Sequence, residues 1–106
     1  MDEQHRIAAE AAAFRGLIAH LQKRSDVQNI EMMNTLGFCR NCLSKWLVVG
    51  ATENGAELSY DAAREMVYGM AFEAWRDQFQ TTATPEQKQR MEETKPLHAK
   101  IPGFSG

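Results

Sequence analysis

The sequence predicts an all-α protein, a compact bundle of about five to six short helices, and three observations carry that reading. Apolar residues recur at steps of three and four along most of the chain. No Val/Ile/Thr-rich run alternates with a period of two, as a half-buried strand would. Capping and stop residues also recur at the spacing of short helices. With 106 residues, 43% hydrophobic and 25% charged, the chain can bury one core without disulfide or metal staples. No repeat, low-complexity tract or long linker divides it, so residues 1–106 read as a single helical domain.

The first helix is expected to fill residues 1–23, running from Asp2 to Lys23, with Ile7, Ala11, Phe14, Ile18 and Leu21 along one face. Its other side carries Ala9, Ala12, Ala13, Gly16 and Ala19. These small residues suit the close approach of a second helix, hence a homodimer, and equally suit a solvated face rich in a good helix former. Ser25 and Gln28 have the form of a capping box, so a short second helix is expected from there to Gly37. Val27, Ile30, Met33 and Leu36 supply its apolar contacts. The amides of Gln28, Asn29 and Asn34 interleave them and are expected to be buried and hydrogen-bonded.

A third helix is expected from Phe38 to about Val49. At ~100° per residue it gathers Phe38, Cys39, Cys42, Leu43, Trp46 and Val49 within an arc of ~140°. Gly50 to Ser59, with Asn54-Gly55, reads as a loop. Ser59 caps a fourth helix with Tyr60, Ala63, Val67 and Met70 as its seam, and Gly69 breaks or bends it. Phe72, Trp75 and Phe79 mark a short aromatic fifth helix. Thr84-Pro85-Glu86-Gln87 combines an N-cap, a proline at the first helical position and a glutamine two residues on, which starts a sixth. That helix has little apolar surface beyond Met91, so it is expected on the outside or against a partner. Pro96 ends it, and residues 97–106 read as an extended, loose tail.

Several function classes recede on composition. The formal net charge is −2 and neither half carries a basic cluster, which argues against nucleic acid as a partner. Met1 to Glu10 is charged and polar where a secretory leader has its apolar run, and no stretch reaches the ~20 apolar residues of a membrane span. The expectation is a cytoplasmic protein with no membrane association. No glycine-rich phosphate loop, His-Glu-x-x-His or nucleophile elbow is present. The carboxylates of Asp61, Glu65, Glu73 and Asp77 fall at helix starts or on polar faces. A non-catalytic interaction or accessory module with a protein partner is therefore expected, rather than an enzyme.

Gly37-Phe38-Cys39-Arg40-Asn41-Cys42 holds a C-x-x-C near a helix start, and three readings compete for it. As a metal site it offers two of the four soft ligands zinc commonly takes, with iron as another occupant. His20, Asp26, His5 or His98 would complete the set, or two chains would pool their thiolates. As a redox site, the helix dipole and Arg40 would make Cys39 the attacking thiolate and Cys42 the resolving thiol, although no strand precedes the motif. As packing, both are small core residues beside Trp46. His20 points away from the core seam and is a switch near neutral pH on its intrinsic chemistry alone.

Three runs carry a family resemblance: Ser25-Asp26-Val27-Gln28-Asn29-Ile30, the stretch Gly37 to Trp46, and Ala63-Arg64-Glu65-Met66-Val67-Tyr68-Gly69-Met70 followed by Trp75. On these the chain resembles the small bacterial helical proteins catalogued as domain of unknown function 1244, over roughly Phe14 to Gln80. The family pattern has a proline after Gly-Met and a tyrosine after the tryptophan, where this chain has Ala71 and Leu47. The resemblance implies a helical fold and no established activity, substrate or cofactor. It singles out Asp26, Asn29, Cys39, Arg40, Asn41, Cys42 and Trp46 as motif positions. Of these, Arg40 and Asn41 project away from the apolar arc and are expected at a polar contact surface or in solvent.

Overall fold

In the computed structural model, which describes residues 1–105, α1 (Glu3–Gln22) is followed by α2 (Asn29–Leu36), α3 (Arg40–Glu53), α4 (Tyr60–Tyr68), α5 (Phe72–Phe79) and α6 (Pro85–Thr94). A 3₁₀ turn at Lys95–Leu97 closes α6, and no strand occurs among the described residues. The all-α bundle is thus as the periodicity predicts. Its largest dimension is 47 Å against 30 and 28 Å for the other two, because the N-terminal half of α1 extends past the other helices.

The ends of the elements follow local chemistry. The Asp2 carboxylate accepts from the His5 amide, the Ser59 hydroxyl from the Ala62 amide, and the Thr84 hydroxyl from the Gln87 amide, each occupying a donor the first helical turn leaves free. At α6 the box is reciprocal, since the Thr84 amide donates to the Gln87 side chain at 2.9 Å. The Ser25 box predicted for α2 does not form. The helix begins four residues later with Gln28 at the N-cap position, and residues 24–27 form a turn held by Val27 N–H to the Arg24 carbonyl. In that turn the Val27 carbonyl is left without a helical partner and the Arg24 carbonyl keeps a second lone pair, and Arg40 donates to both.

Two adjoining clusters make the core. The larger joins Ile18, Leu43, Val67, Tyr68 and Trp75, with Phe14, Leu47, Met70, Phe72 and Phe79 packed around it. The smaller joins Met32, Cys39 and Cys42 with Val27, Met33 and Ile101. Leu21 and Phe38 pack against both. The most extensive pairing is α3 on α4, where the fully buried Ser44 and Ala63 let the backbones approach closely. The Gln22 side-chain amide donates to the Met66 and Val67 carbonyls, tying the end of α1 to the end of α4. Gln28 spans further: its amide donates to the Phe79 carbonyl at 2.8 Å and its oxygen accepts from the Thr81 amide at 3.0 Å. Asn34 donates to the Gln87 carbonyl and so fastens α6 to α2. Of the three amides expected to be buried and bonded, Gln28 is buried with both side-chain atoms bonded, whereas Asn29 and Asn34 are half-buried and the Asn34 side-chain oxygen has no partner; Gln28 and Asn34 act as clamps between elements.

The tail is irregular, as expected, yet anchored. The Ala99 amide donates to the Gly37 carbonyl at 2.6 Å, Ile101 enters the smaller cluster, and Phe104 packs edge-on against Tyr60 at 5.2 Å. Gly37 is required twice over. It ends α2 in the left-handed region at φ 80°, and a Cβ there would lie 2.5 Å from the Leu97 carbonyl oxygen.

Gly55 has nearly the same φ, 77°, with open space around it, and so provides an internal control. Gly55→Ala should lower stability by about 1 kcal/mol from backbone strain alone. Gly37→Ala should cost about twice that or more, because the tail must also shift. Urea unfolding of the two variants checks this, and equal losses would mean that the tail does not bear on Gly37.

Candidate functional site

The residues singled out around Cys39 and Arg40 converge at the start of α3, where the two core clusters meet. Arg40 is the first residue of that helix and is 1% exposed. The expected surface position for it is therefore corrected: its side chain runs inward under the 24–27 turn. The guanidinium donates to the Arg24 carbonyl at 2.8 Å, to the Val27 carbonyl at 2.9 Å and to the Asn29 side-chain oxygen at 2.9 Å. It also stands 4.9 Å from the centre of the Trp75 ring. Three fixed acceptors and an aromatic face replace the water such a charge would otherwise need. Desolvation draws its pKa below the ordinary guanidinium value, opposed by the field of Tyr68, Cys39 and, more weakly, Asp26.

Asn29 passes the chain of bonds on. Its amide donates to the Tyr68 hydroxyl at 2.9 Å, and that hydroxyl donates to the Asn41 side-chain oxygen at 2.7 Å. Burial pushes the Tyr68 phenol well above its ordinary range, so it stays protonated and serves as a donor. Arg40, Asn29, Tyr68 and Asn41 thus form one polar chain joining α2, α3 and α4, with Trp75 of α5 stacked on its charged end. Asn41, expected at the surface with Arg40, is half-buried within it.

Cys39 occupies the N-cap position of α3 with extended backbone, and Cys42 follows in the first turn. Both are free thiols and both are buried, as the packing reading expects. They pack in one small cluster with Met32. The Cys39 thiol and backbone donors favour a Cys42 thiolate, helped by the positive fields of Lys45 and His98, and pull Cys42 down to about 6. The bond to the Cys42 sulfur and, after it, burial push Cys39 up, so the pair gives up one proton readily and the second with difficulty. On the far side the Cys42 Sγ lies 3.9 Å from the Met33 thioether, and Met32 is buried in the same cluster.

The other candidates lie apart. His20 is exposed on α1, and Asp26 is exposed and held by both guanidinium contacts of Arg24 at 3.0 Å, which keep its carboxyl below the usual range. Among the described residues no group of three or more His, Cys, Asp or Glu side chains could hold a metal, so neither His20 nor Asp26 completes the cysteine pair. Trp46 lies 6.2 Å from the Phe38 ring and is 41% exposed, one turn beyond the thiols. Sequence reasoning missed Tyr68 and Met33. A tyrosine beside Val67 on a core face calls for a hydrogen-bond partner, which was the available signal for the first. Nothing in the spacing announced the second, because Met33 meets Cys42 only across the α2–α3 turn.

Together these features define a small helical protein built around a buried arginine network, with a dithiol at one helix start. The chain belongs to the family described as protein of unknown function DUF1244, whose profile matches residues 27–93, from just before α2 to near the end of α6. No curated protein matches it. The helix α1 lies outside the matched span. No helix among the described residues is long and apolar enough to cross a membrane.

The thiol assignment has a direct optical consequence. Thiolate absorbance near 240 nm should rise with a midpoint close to pH 6, and Cys39→Ala should move that midpoint upward by removing the S–H that favours the Cys42 thiolate. A midpoint in the ordinary range of about 8.5 for the parent protein would reject the assignment.

Proposed function

We propose that the protein is a non-catalytic interaction module of the cytoplasm, and that its first partner is a second copy of itself bound through α1. The observation that carries the reading is the unfinished seam of that helix. Ile7, Ala11, Phe14, Ile18 and Leu21 follow the alternating four and three spacing of a coiled-coil seam. Its C-terminal end enters the chain's own core, whereas Ile7 is 57% exposed and the segment before Ala11 has no buried residue.

Beside this seam runs a groove of about 760 Å³ lined by Ile7, Phe14, Ile18, Leu47 and Met66, the last 54% exposed. An antiparallel copy of α1 complements it. With residue pairs summing to 25, Ala11 of one copy meets Phe14 of the other, Ile7 comes over the groove wall at Ile18, itself 9% exposed, and Leu21 falls opposite Gln4. The same register brings the acidic start at Asp2 and Glu3 beside Gln22 and Lys23 of the second copy, and it opposes the two helix dipoles. Such an interface is self-complementary under a two-fold axis. The Ala9, Ala12, Ala13, Gly16 and Ala19 face, also exposed, remains open to a different protein partner once the dimer forms.

Light scattering after gel filtration should give twice the chain mass at micromolar concentration. Ile7→Glu should return it to monomer with unchanged helicity, since the residue contacts no buried core in the single chain. Monomer mass at high concentration, or a dimer indifferent to both Ile7→Glu and Met66→Glu, would contradict the proposal.

A further inference from the structure

The sulfur atoms at the start of α3 form a second site with a different chemistry. Cys39 and Cys42 are both nine-tenths or more buried, are free, and pack in one small cluster with Met32. The Met33 thioether reaches the same point from α2, 3.9 Å from the Cys42 sulfur. Metal–thiolate bonds of about 2.3 Å, the length zinc adopts, put the sulfurs of a planar three-coordinate centre about 4 Å apart. The Cys42–Met33 separation already has that value, before any ion is introduced.

The surroundings select among ions. Zinc commonly takes four ligands, and no His, Asp, Glu or further Cys stands close enough to supply the remainder. Hard cations find no oxygen cluster at this point. Thiolate and thioether donors in an apolar pocket suit a monovalent soft ion that is content with two or three sulfurs. Met32, Phe38, Val27 and Ile101 provide the apolar wall. The wall formed by Ile101 belongs to the tail, which is fastened near the site by the Ala99 to Gly37 hydrogen bond.

We propose that Cys39, Cys42 and Met33 form a binding site for cuprous copper, one ion per chain. Binding places one Cu(I) on the two cysteine sulfurs, forming two copper–thiolate bonds and one copper–thioether bond, and releases to solvent whatever thiol protons the pair still carries, that of Cys39 at neutral pH and both in acid, without any change of oxidation state. The site lies within a single chain, so it stands independently of the α1 dimer.

The test is an anaerobic titration of the fully reduced protein with Cu(I) alone, against a chromogenic bicinchoninate competitor, with mass measured in parallel. The expected result is one copper withdrawn from the competitor per chain, with sulfur-to-copper charge-transfer absorption in the ultraviolet and no copper-dependent change in mass. Met33→Leu conserves volume at a half-buried position and should keep the fold by circular dichroism, yet weaken copper binding by about tenfold or more. Cys42→Ser should abolish it. Copper left wholly with the competitor, a Met33→Leu variant of unchanged affinity, or one copper shared between two chains would each overturn the site. Equimolar zinc should not displace the copper; displacement would likewise overturn it.

Discussion

A positive charge that cannot reach water governs this fold. Once Arg40 begins α3 and turns inward, its guanidinium must find acceptors, and those on hand are backbone carbonyls of the preceding turn and one amide oxygen. That requirement explains features that look unrelated along the chain. It accounts for the delayed start of α2, because residues 24–27 stay in a turn that presents the Val27 carbonyl and the second lone pair of the Arg24 carbonyl to Arg40. It fixes Asn29, whose oxygen serves Arg40 while its nitrogen serves Tyr68. It also gives Trp75 an electrostatic role in addition to its burial, as the face on which the cation rests. Arginine suits this position because its planar group offers several donors at fixed angles, whereas a lysine ammonium would satisfy fewer acceptors on a more flexible stem.

The same network sets where chemistry can occur. By pinning the first turn of α3, Arg40 and Asn41 hold Cys39 and Cys42 on either side of them against α2 and the tail, and so bring the thiols to Met33. The C-x-x-C motif therefore has a double content. Its two middle residues are structural and point into the polar chain, while its two ends form the dithiol. The exposed first half of α1, in contrast, is not touched by the polar network and falls outside the span matched by the family.

Much of this was legible in the sequence, for identifiable reasons. Four of the six helices could be placed because side-chain periodicity and caps act locally: Thr84-Pro85, Ser59 and the Phe72/Trp75/Phe79 series each do in the structure what their chemistry suggests, whereas α3 continues to Glu53 through residues whose Gly50 and Asn54-Gly55 read as loop. The start of α2 was misplaced because Ser25 offers a sound local cap that a distant demand, the acceptors for Arg40, overrides. The burial of Arg40 was hidden because helical projection reports only which side of a helix a residue faces. At the first position of α3 the polar side faces a turn of the same chain rather than water. Asn29, Arg40 and Asn41 were rightly grouped by the family motif, but their role as an interior network needed Tyr68, which reaches them from 27 residues away along the chain.

The claim that the fold depends on this network is tested most directly by a double-mutant cycle between Arg40→Leu and Tyr68→Phe in urea unfolding. The two side chains do not bond to each other; Asn29 connects them. If the network acts as a unit, each single change is destabilising and the pair should couple by about 0.5–3 kcal/mol, since losing one end already loosens the other. Losses that add within about 0.5 kcal/mol would show two independent contacts and contradict the account.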